Sequence, residues 1–200
     1  FVANNTHELK TPLNAINGFT QLMLKNDKAV AVRKELQIIR TSGNHLLRLI
    51  NDILDFSKLQ AGKLQLNRTV FNLSAVLSEV YELFRNEAQQ KKLEFEILNK
   101  IDADVHLNGD PIRLKQILIN LIGNALKFTQ TGHVIVDVDH EMMSDKKKIM
   151  LKLTVRDTGI GIEKHKLDEI FEEFEQEEAT TSINFGGTGL GLSIVKRLVE

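Results

Sequence analysis

DPIRLKQILINLIGNALKFT, residues 110–129, is the stretch whose reading decides the fold. Asp110 followed by Pro111 is a helix start: the carboxylate can cap free amides, and proline suits the first turn. The pattern predicts a helix over 110–128, with Leu114, Ile117, Leu118, Leu121, Ile122 and Ala125 as its apolar face. Asn120, Asn124 and Lys127 recur at spacings of four and three, so they share a different face. A lone Asn on a helix is an ordinary solvent contact. Two a turn apart, followed by Lys, offer hard oxygen for Mg²⁺ and a cation for phosphate.

The flanking segments alternate or run apolar in the manner of strands. KLQLNRTVF (63–71), LEFEIL (93–98), DVHL (104–107), HVIVDVDHEM (133–142) and KIMLKLTVRD (148–157) are the candidates. The last two flank SDKK and read as an antiparallel hairpin, with Val134, Val136 and Val138 on one arm and Leu151, Leu153 and Val155 on the other. Further helices are expected over 72–90 and, as a short piece, over 163–171. Helices mixed with an antiparallel hairpin predict a two-layer α/β sandwich instead of a doubly wound parallel sheet.

At the end of the last strand stands VRDTGIGI (155–162). Asp157 can accept a hydrogen bond from an exocyclic amine, and Gly159 and Gly161 permit close backbone approach. FGGTGLGLSIVKRL (185–198) then places Gly186, Gly187, Gly189 and Gly191 within six residues at the opening of a helix, where backbone N–H groups can hold phosphate. Taken singly, these are also a capped turn and a flexible loop. Neither GxxxxGK[ST] nor a strand–GxGxxG–helix occurs, so a P-loop and a Rossmann site are excluded.

The first sixty residues are helical in pattern. Val2, Thr6, Leu9, Leu13, Ile16, Thr20 and Met23 form one heptad-like seam, and Val32, Leu36, Ile39, Gly43, Leu46, Ile50, Ile53 and Ser57 another. A short polar link near Asn26–Lys28 joins them as an antiparallel hairpin. One hairpin cannot cover both stripes, and two copies packed as a four-helix bundle can, so a homodimer is expected. The domain boundary falls near residues 57–63, giving an α-helical unit at 1–60 and an α/β unit at 61–200.

Bulk composition narrows the classes. The 200 residues are 42% hydrophobic with 26 basic against 27 acidic residues, so a sizeable core is affordable and nucleic acid is not indicated as a partner. The absence of cysteine excludes disulfides and thiol nucleophiles. No run of about 18 apolar residues occurs, so no membrane span or direct membrane contact is expected in these residues.

The first helix contains THELKTPLNAI (6–16). Its core residues fall within roughly 40° of Leu9 on the helical wheel, and His7 falls at roughly 160°, on the outer face with Thr11, Asn14, Gly18 and Gln21. By frequency such a His is an ordinary surface residue. Its neighbours Glu8, Thr11 and the helix-interrupting Pro12 raise another reading: an exposed neutral imidazole is a competent nucleophile, and a carboxylate that takes its second proton makes it more so.

The ordered set of motifs resembles the sensor histidine kinases of two-component systems along nearly the whole chain. THELKTPLNAI looks like the H-box, NLIGNALKF the N-box, DTGIGI the first glycine box, FEEF with Phe171 and Phe174 the F-box, and GGTGLGL the second glycine box. SKLQAGKL (57–64) resembles the junction of hybrid kinases, which carry receiver domains. The resemblance implies a dimerisation and phosphoacceptor hairpin at 1–60 and an ATP-binding α/β sandwich of the GHKL, or Bergerat, type at 61–200. That domain would be truncated, since the family continues past the equivalent of Glu200 with a third glycine segment and two closing strands.

The resemblance also implies roles. His7 is the phosphoacceptor, Glu8 its acid–base partner, and Thr11 the residue that positions water for phosphatase action on the partner. Asn124 ligates Mg²⁺ with Asn120 beside it, Lys127 reaches the phosphates, and Asp157 binds the adenine amine. Gly159, Gly161, Gly187, Thr188, Gly189, Leu190 and Gly191 shape the ATP pocket and its lid, beside Phe171 and Phe174. The expected activity is ATP-dependent autophosphorylation of His7 and transfer to an Asp of a response-regulator receiver, docking on the stripe Thr11, Asn14, Gly18 and Gln21. The setting implied is the cytoplasmic portion of a protein anchored in the bacterial inner membrane. Ser182, Ile183 and Asn184 depart from the basic pair that many similar hybrid kinases place before the lid glycines. A second reading is an ATP-binding dimerisation module that no longer phosphorylates itself. A third, a relative of the chaperone and mismatch-repair ATPases, is disfavoured by the H-box.

Overall fold

The computed structural model describes residues 64–143, 148–167, 169–172 and 189–200, preceded by the helical positions 15, 16, 38, 39, 42, 43, 46, 49, 50, 52, 53, 55, 57, 59 and 60. Its contacts divide the chain into two units, residues 1–64 with 186–190 and residues 65–185 with 191–200.

In the first unit every described position before 61 is helical. Ile16 and Gly43, one from each expected seam, meet: a Cβ built on Gly43 stands 3.9 Å from Ile16 Cδ1. Lower on the second helix Leu49 is buried, while Ile50, a member of the expected seam, is 40% exposed in the single chain. The bundle of two chains and the link near Asn26 lie outside the described residues.

In the second unit the elements are β1 (Thr69–Asn72), α1 (Leu73–Lys91), β2 (Glu94–Asn99), β3 (His106–Gly109), α2 (Pro111–Phe128), β4 (His133–Met142), β5 (Ile149–Asp157), short 3₁₀ turns at Lys164–Lys166 and Glu169–Phe171, and α3 (Gly191–Val199). The expected two-layer sandwich is what forms. The main sheet has the order β2-β4-β5, with β2 parallel to β4 and β4 antiparallel to β5. A parallel pair needs a long crossover, and β3 with α2 supplies it. The expected hairpin arms pair face to face, Val136 with Val155 and Val138 with Leu153.

Period-two alternation then sorts the sheet's faces. Val134, Val136 and Val138 are fully buried and join Phe95 in a core with Leu77, Val80 and Phe84 of α1 and Leu118, Ile122 and Leu126 of α2. Phe95 stacks on Tyr81 at 5.4 Å between centroids and meets Phe84 edge-on at 6.4 Å. The opposite face is polar: Asp137 pairs with Arg156, and Asp139 with Lys100 at 3.1 Å. The His140 amide, with the Lys100 ammonium, holds the Asp139 carboxyl below the usual carboxylate range.

Both long helices start on side-chain caps. Asn72 Oδ1 accepts from Ala75 N–H at 2.9 Å. Asp110 Oδ1 accepts from Ile112 and Arg113 N–H, both at 3.1 Å, while Oδ2 accepts from Asn67 N–H at 2.9 Å. That last bond explains one correction. The strand expected over 63–71 forms only at Thr69–Asn72, since Asn67 spends its amide on Asp110 and β3 offers four partners. The strand expected over 104–107 likewise moves to His106–Gly109. The helix expected over 163–171 is two 3₁₀ turns, and Glu163 provides no side-chain cap to start a longer one. On α2 the core takes Leu126 and, partly buried, Ile119 in place of Ile117 and Leu121. This helix packs against α1 and also against α3, so its apolar surface is wider than one stripe.

Candidate functional site

Helix α2 is the spine of the candidate site. Asn120, Asn124 and Lys127 lie on it at successive turns, each half-buried. At its first member, Asn120 Nδ2 donates to the Gly191 carbonyl at 3.3 Å, so the face leads directly to the start of α3. At its last member, Lys127 Nζ stands over the Phe128 ring, 4.6 Å from the centroid.

The end of β5 meets the end of α2. A Cβ on Gly159 would stand 2.7 Å from the Phe128 carbonyl oxygen and 2.8 Å from Asp157 Oδ1, so only glycine lets the two backbones approach this closely. Asp157 is exposed, and its Oδ1 accepts the Gly159 N–H at 2.8 Å, which leaves Oδ2 for another donor. Gly161 follows with φ +70°. Phe171 lies in the 3₁₀ turn packed on α3 and is 36% exposed.

The structure thus brings Asn120 to Gly191 and the Lys127–Phe128 end of α2 to Asp157–Gly159. Gly189 and Leu190 precede α3, with Leu190 buried. His7, Glu8, Thr11, Phe174, Gly187 and Thr188 lie outside the described residues. Sequence reasoning missed Thr158 and Gly132, which close the loop between α2 and β4 onto the end of β5. The available signal was a pair of Thr-Gly steps, Thr131-Gly132 and Thr158-Gly159, bracketing the hairpin.

The donor chemistry fits a magnesium–nucleotide pair. Among the described residues no three His, Cys, Asp or Glu side chains gather as for a metal. The amide oxygens of Asn120 and Asn124 suit a Mg²⁺ ion that keeps waters and phosphate oxygens for most of its shell. The tight Gly159 cradle with an outward carboxylate beside it suits a planar base carrying an amine.

The family described as "His Kinase A (phospho-acceptor) domain" matches residues 1–62, and "Histidine kinase-, DNA gyrase B-, and HSP90-like ATPase" matches residues 109–200. The chain belongs to the sensor histidine kinases. Among its relatives, the signal transduction histidine-protein kinase BarA of Escherichia coli is 45% identical over the whole chain, which corresponds to 22% of BarA. The kinase chain therefore spans less than a quarter of that relative's length. Full-length ShkA in complex with AMPPNP has TM-score 0.68 and 32% identity, over 98% of this kinase chain and 39% of ShkA. Histidine kinase ThkA in complex with the response regulator protein TrrA has TM-score 0.53 and 26% identity, over 88% of this chain and 50% of that one.

Proposed function

We propose that the chain is the catalytic core of a protein-histidine kinase that phosphorylates His7 from ATP and passes the phosphoryl group to an Asp of a response-regulator receiver. The observation that carries this reading is the approach of the Phe128 carbonyl to Gly159, which sets the Asn120–Asn124–Lys127 face and the Asp157 carboxylate at one edge of one unit. Asp157 Oδ2 accepts the adenine amine. Asn124, with Asn120 beside it, holds Mg²⁺, and Lys127 leaves the Phe128 ring for the phosphates. Bound Mg²⁺ neutralises charge on the phosphates during transfer.

At the acceptor, a ring nitrogen of His7 bonds to the γ-phosphorus as the bond to the β-phosphate oxygen breaks and ADP leaves. Glu8 takes the proton from the other ring nitrogen. The protein contributes positioning and charge neutralisation more than covalent chemistry. Residues 1–60 act as the dimerisation and acceptor hairpin and residues 61–200 as the ATP-binding domain. A second copy covering Ile50 and the rest of the helical seams gives the homodimer. The ThkA–TrrA complex supports a receiver as partner, and in the phosphatase reaction Thr11 positions the water that hydrolyses the receiver's phospho-aspartate to release phosphate. No described helix is long and apolar enough to cross a membrane; a requirement for ATP favours a cytoplasmic location for this core, and an anchor in the bacterial inner membrane, elsewhere in a longer protein, is part of the same proposal.

The test is incubation of the chain with γ-labelled ATP and Mg²⁺. Wild type acquires acid-labile, alkali-stable label, and His7→Gln acquires none while still binding ATP. Asn124→Ala also stays unlabelled, through lost Mg²⁺-dependent ATP use. Label persisting in His7→Gln overturns the acceptor assignment, and turnover retained in Asn124→Ala overturns the metal role.

A further inference from the structure

We propose that Thr158 is a positioning residue for base recognition: its hydroxyl fastens the strand end that carries Asp157 to the loop between α2 and β4, and so fixes where Asp157 faces the base. This rests on the reading that Asp157 accepts the exocyclic amine of adenine. The bonds converge on one oxygen. Thr158 Oγ1 accepts the His133 N–H at 3.0 Å and donates to the Thr131 carbonyl at 3.0 Å. The Thr158 amide donates to the His133 carbonyl at 3.2 Å, so backbone and side chain grip the same segment.

Gly132, inside that segment, is shaped to admit the hydroxyl. Its φ is +100°, and a Cβ there would stand 2.2 Å from Thr158 Oγ1. The Gly132 carbonyl accepts from Glu94 N–H at 3.0 Å, which ties the clamped loop to β2. Asp157 immediately precedes the clamp and Gly159 immediately follows it. The Gly159 amide then fixes Asp157 Oδ1 at 2.8 Å, so the free oxygen is directed by backbone that Thr158 holds in place. Without the hydroxyl, Asp157 keeps its chemistry and loses its aim. Thr158 is itself exposed, so water competes for its bonds and the effect is graded, not total.

The experiment compares Mg-ATP with Mg-ITP, whose base carries a carbonyl oxygen where adenine carries the amine, by equilibrium binding to the full chain. Thr158→Val keeps the shape and removes both side-chain bonds. It raises the Kd for ATP about three- to tenfold and leaves that for ITP within about twofold. Thr158→Ser restores ATP binding. Asp157→Ala abolishes the preference for ATP over ITP, and adding Thr158→Val to it changes nothing further. Thr158→Ala, which removes the hydroxyl without a new methyl contact, decides the matter if the valine variant does not fold. Equal weakening of both nucleotides, no change in either, or failure of serine to restore binding overturns the proposal while leaving the Asp157 reading intact. A preference for ATP that survives Asp157→Ala overturns both.

Discussion

Gly159→Ala is the perturbation that probes the site most sharply. The added methyl would stand 2.7 Å from the Phe128 carbonyl oxygen and 3.0 Å from its carbonyl carbon, both backbone atoms at the end of α2. Ordinary contact begins near 3.4 Å, so the β5 end and the α2 end must separate by about 0.7 Å. Neither can yield freely. The α2 end is fixed by the Thr129 amide bond to Ala125 O, and the strand end by the Thr158 amide bond to His133 O. Overpacking of this kind costs about 1–3 kcal/mol. For a unit of this size that corresponds to a fall in melting temperature of about 3–10 °C. The same movement carries Asp157 away from Lys127, so the Kd for Mg-ATP rises about tenfold or more, as expected when a binding constellation opens by a fraction of an ångström. Thermal unfolding without nucleotide and ATP titration at a temperature well below melting measure the two effects separately. Wild-type melting together with wild-type affinity would refute the close approach on which the site is built.

Three further outcomes test the surrounding fold. Asp110→Ala removes the acceptor for two α2 amides and for Asn67, and it destabilises the chain by about 1–2 kcal/mol in denaturant unfolding; an unchanged midpoint contradicts the cap. Thr129→Val replaces a buried hydroxyl that has no partner among the described residues, so it stabilises by about 1 kcal/mol; a loss of stability would show that the hydroxyl is satisfied. Asp139 titrates below an ordinary carboxylate because the His140 amide and Lys100 favour its charged form. Its stabilising contribution is therefore present above the unfolded-state pKa and is lost as pH falls through the folded value. An NMR titration midpoint at or above the ordinary value contradicts this.

Much of the α/β unit was legible because its signals are local. Asp110-Pro111 marked the start of α2, and the alternation of Val134, Val136 and Val138 on one arm and Leu151, Leu153 and Val155 on the other marked an antiparallel hairpin, which forms. Where a tertiary bond competed with a local pattern, the pattern lost. Asn67 gives its amide to Asp110 and not to a ladder, which shortens β1. The wide apolar surface of α2 misled in a different way, since a helix wedged between α1 and α3 has no single core stripe to read. The site divided along the same line. Asn120, Asn124, Lys127 and Asp157 announce themselves by type and spacing. Thr158 does not, because its role depends on a loop that comes within reach only once β4 and β5 have paired.

Mapping the phosphorylated residue tests the central claim most directly. The chain has six histidines, His7, His45, His106, His133, His140 and His165, and helical position and company single out the first. After reaction with Mg-ATP and proteolysis at alkaline pH, fragmentation mass spectrometry should place one phosphoryl group on His7 and none on the other five. A phosphoryl group on any other residue, or a chain that binds ATP and acquires none, would contradict the account.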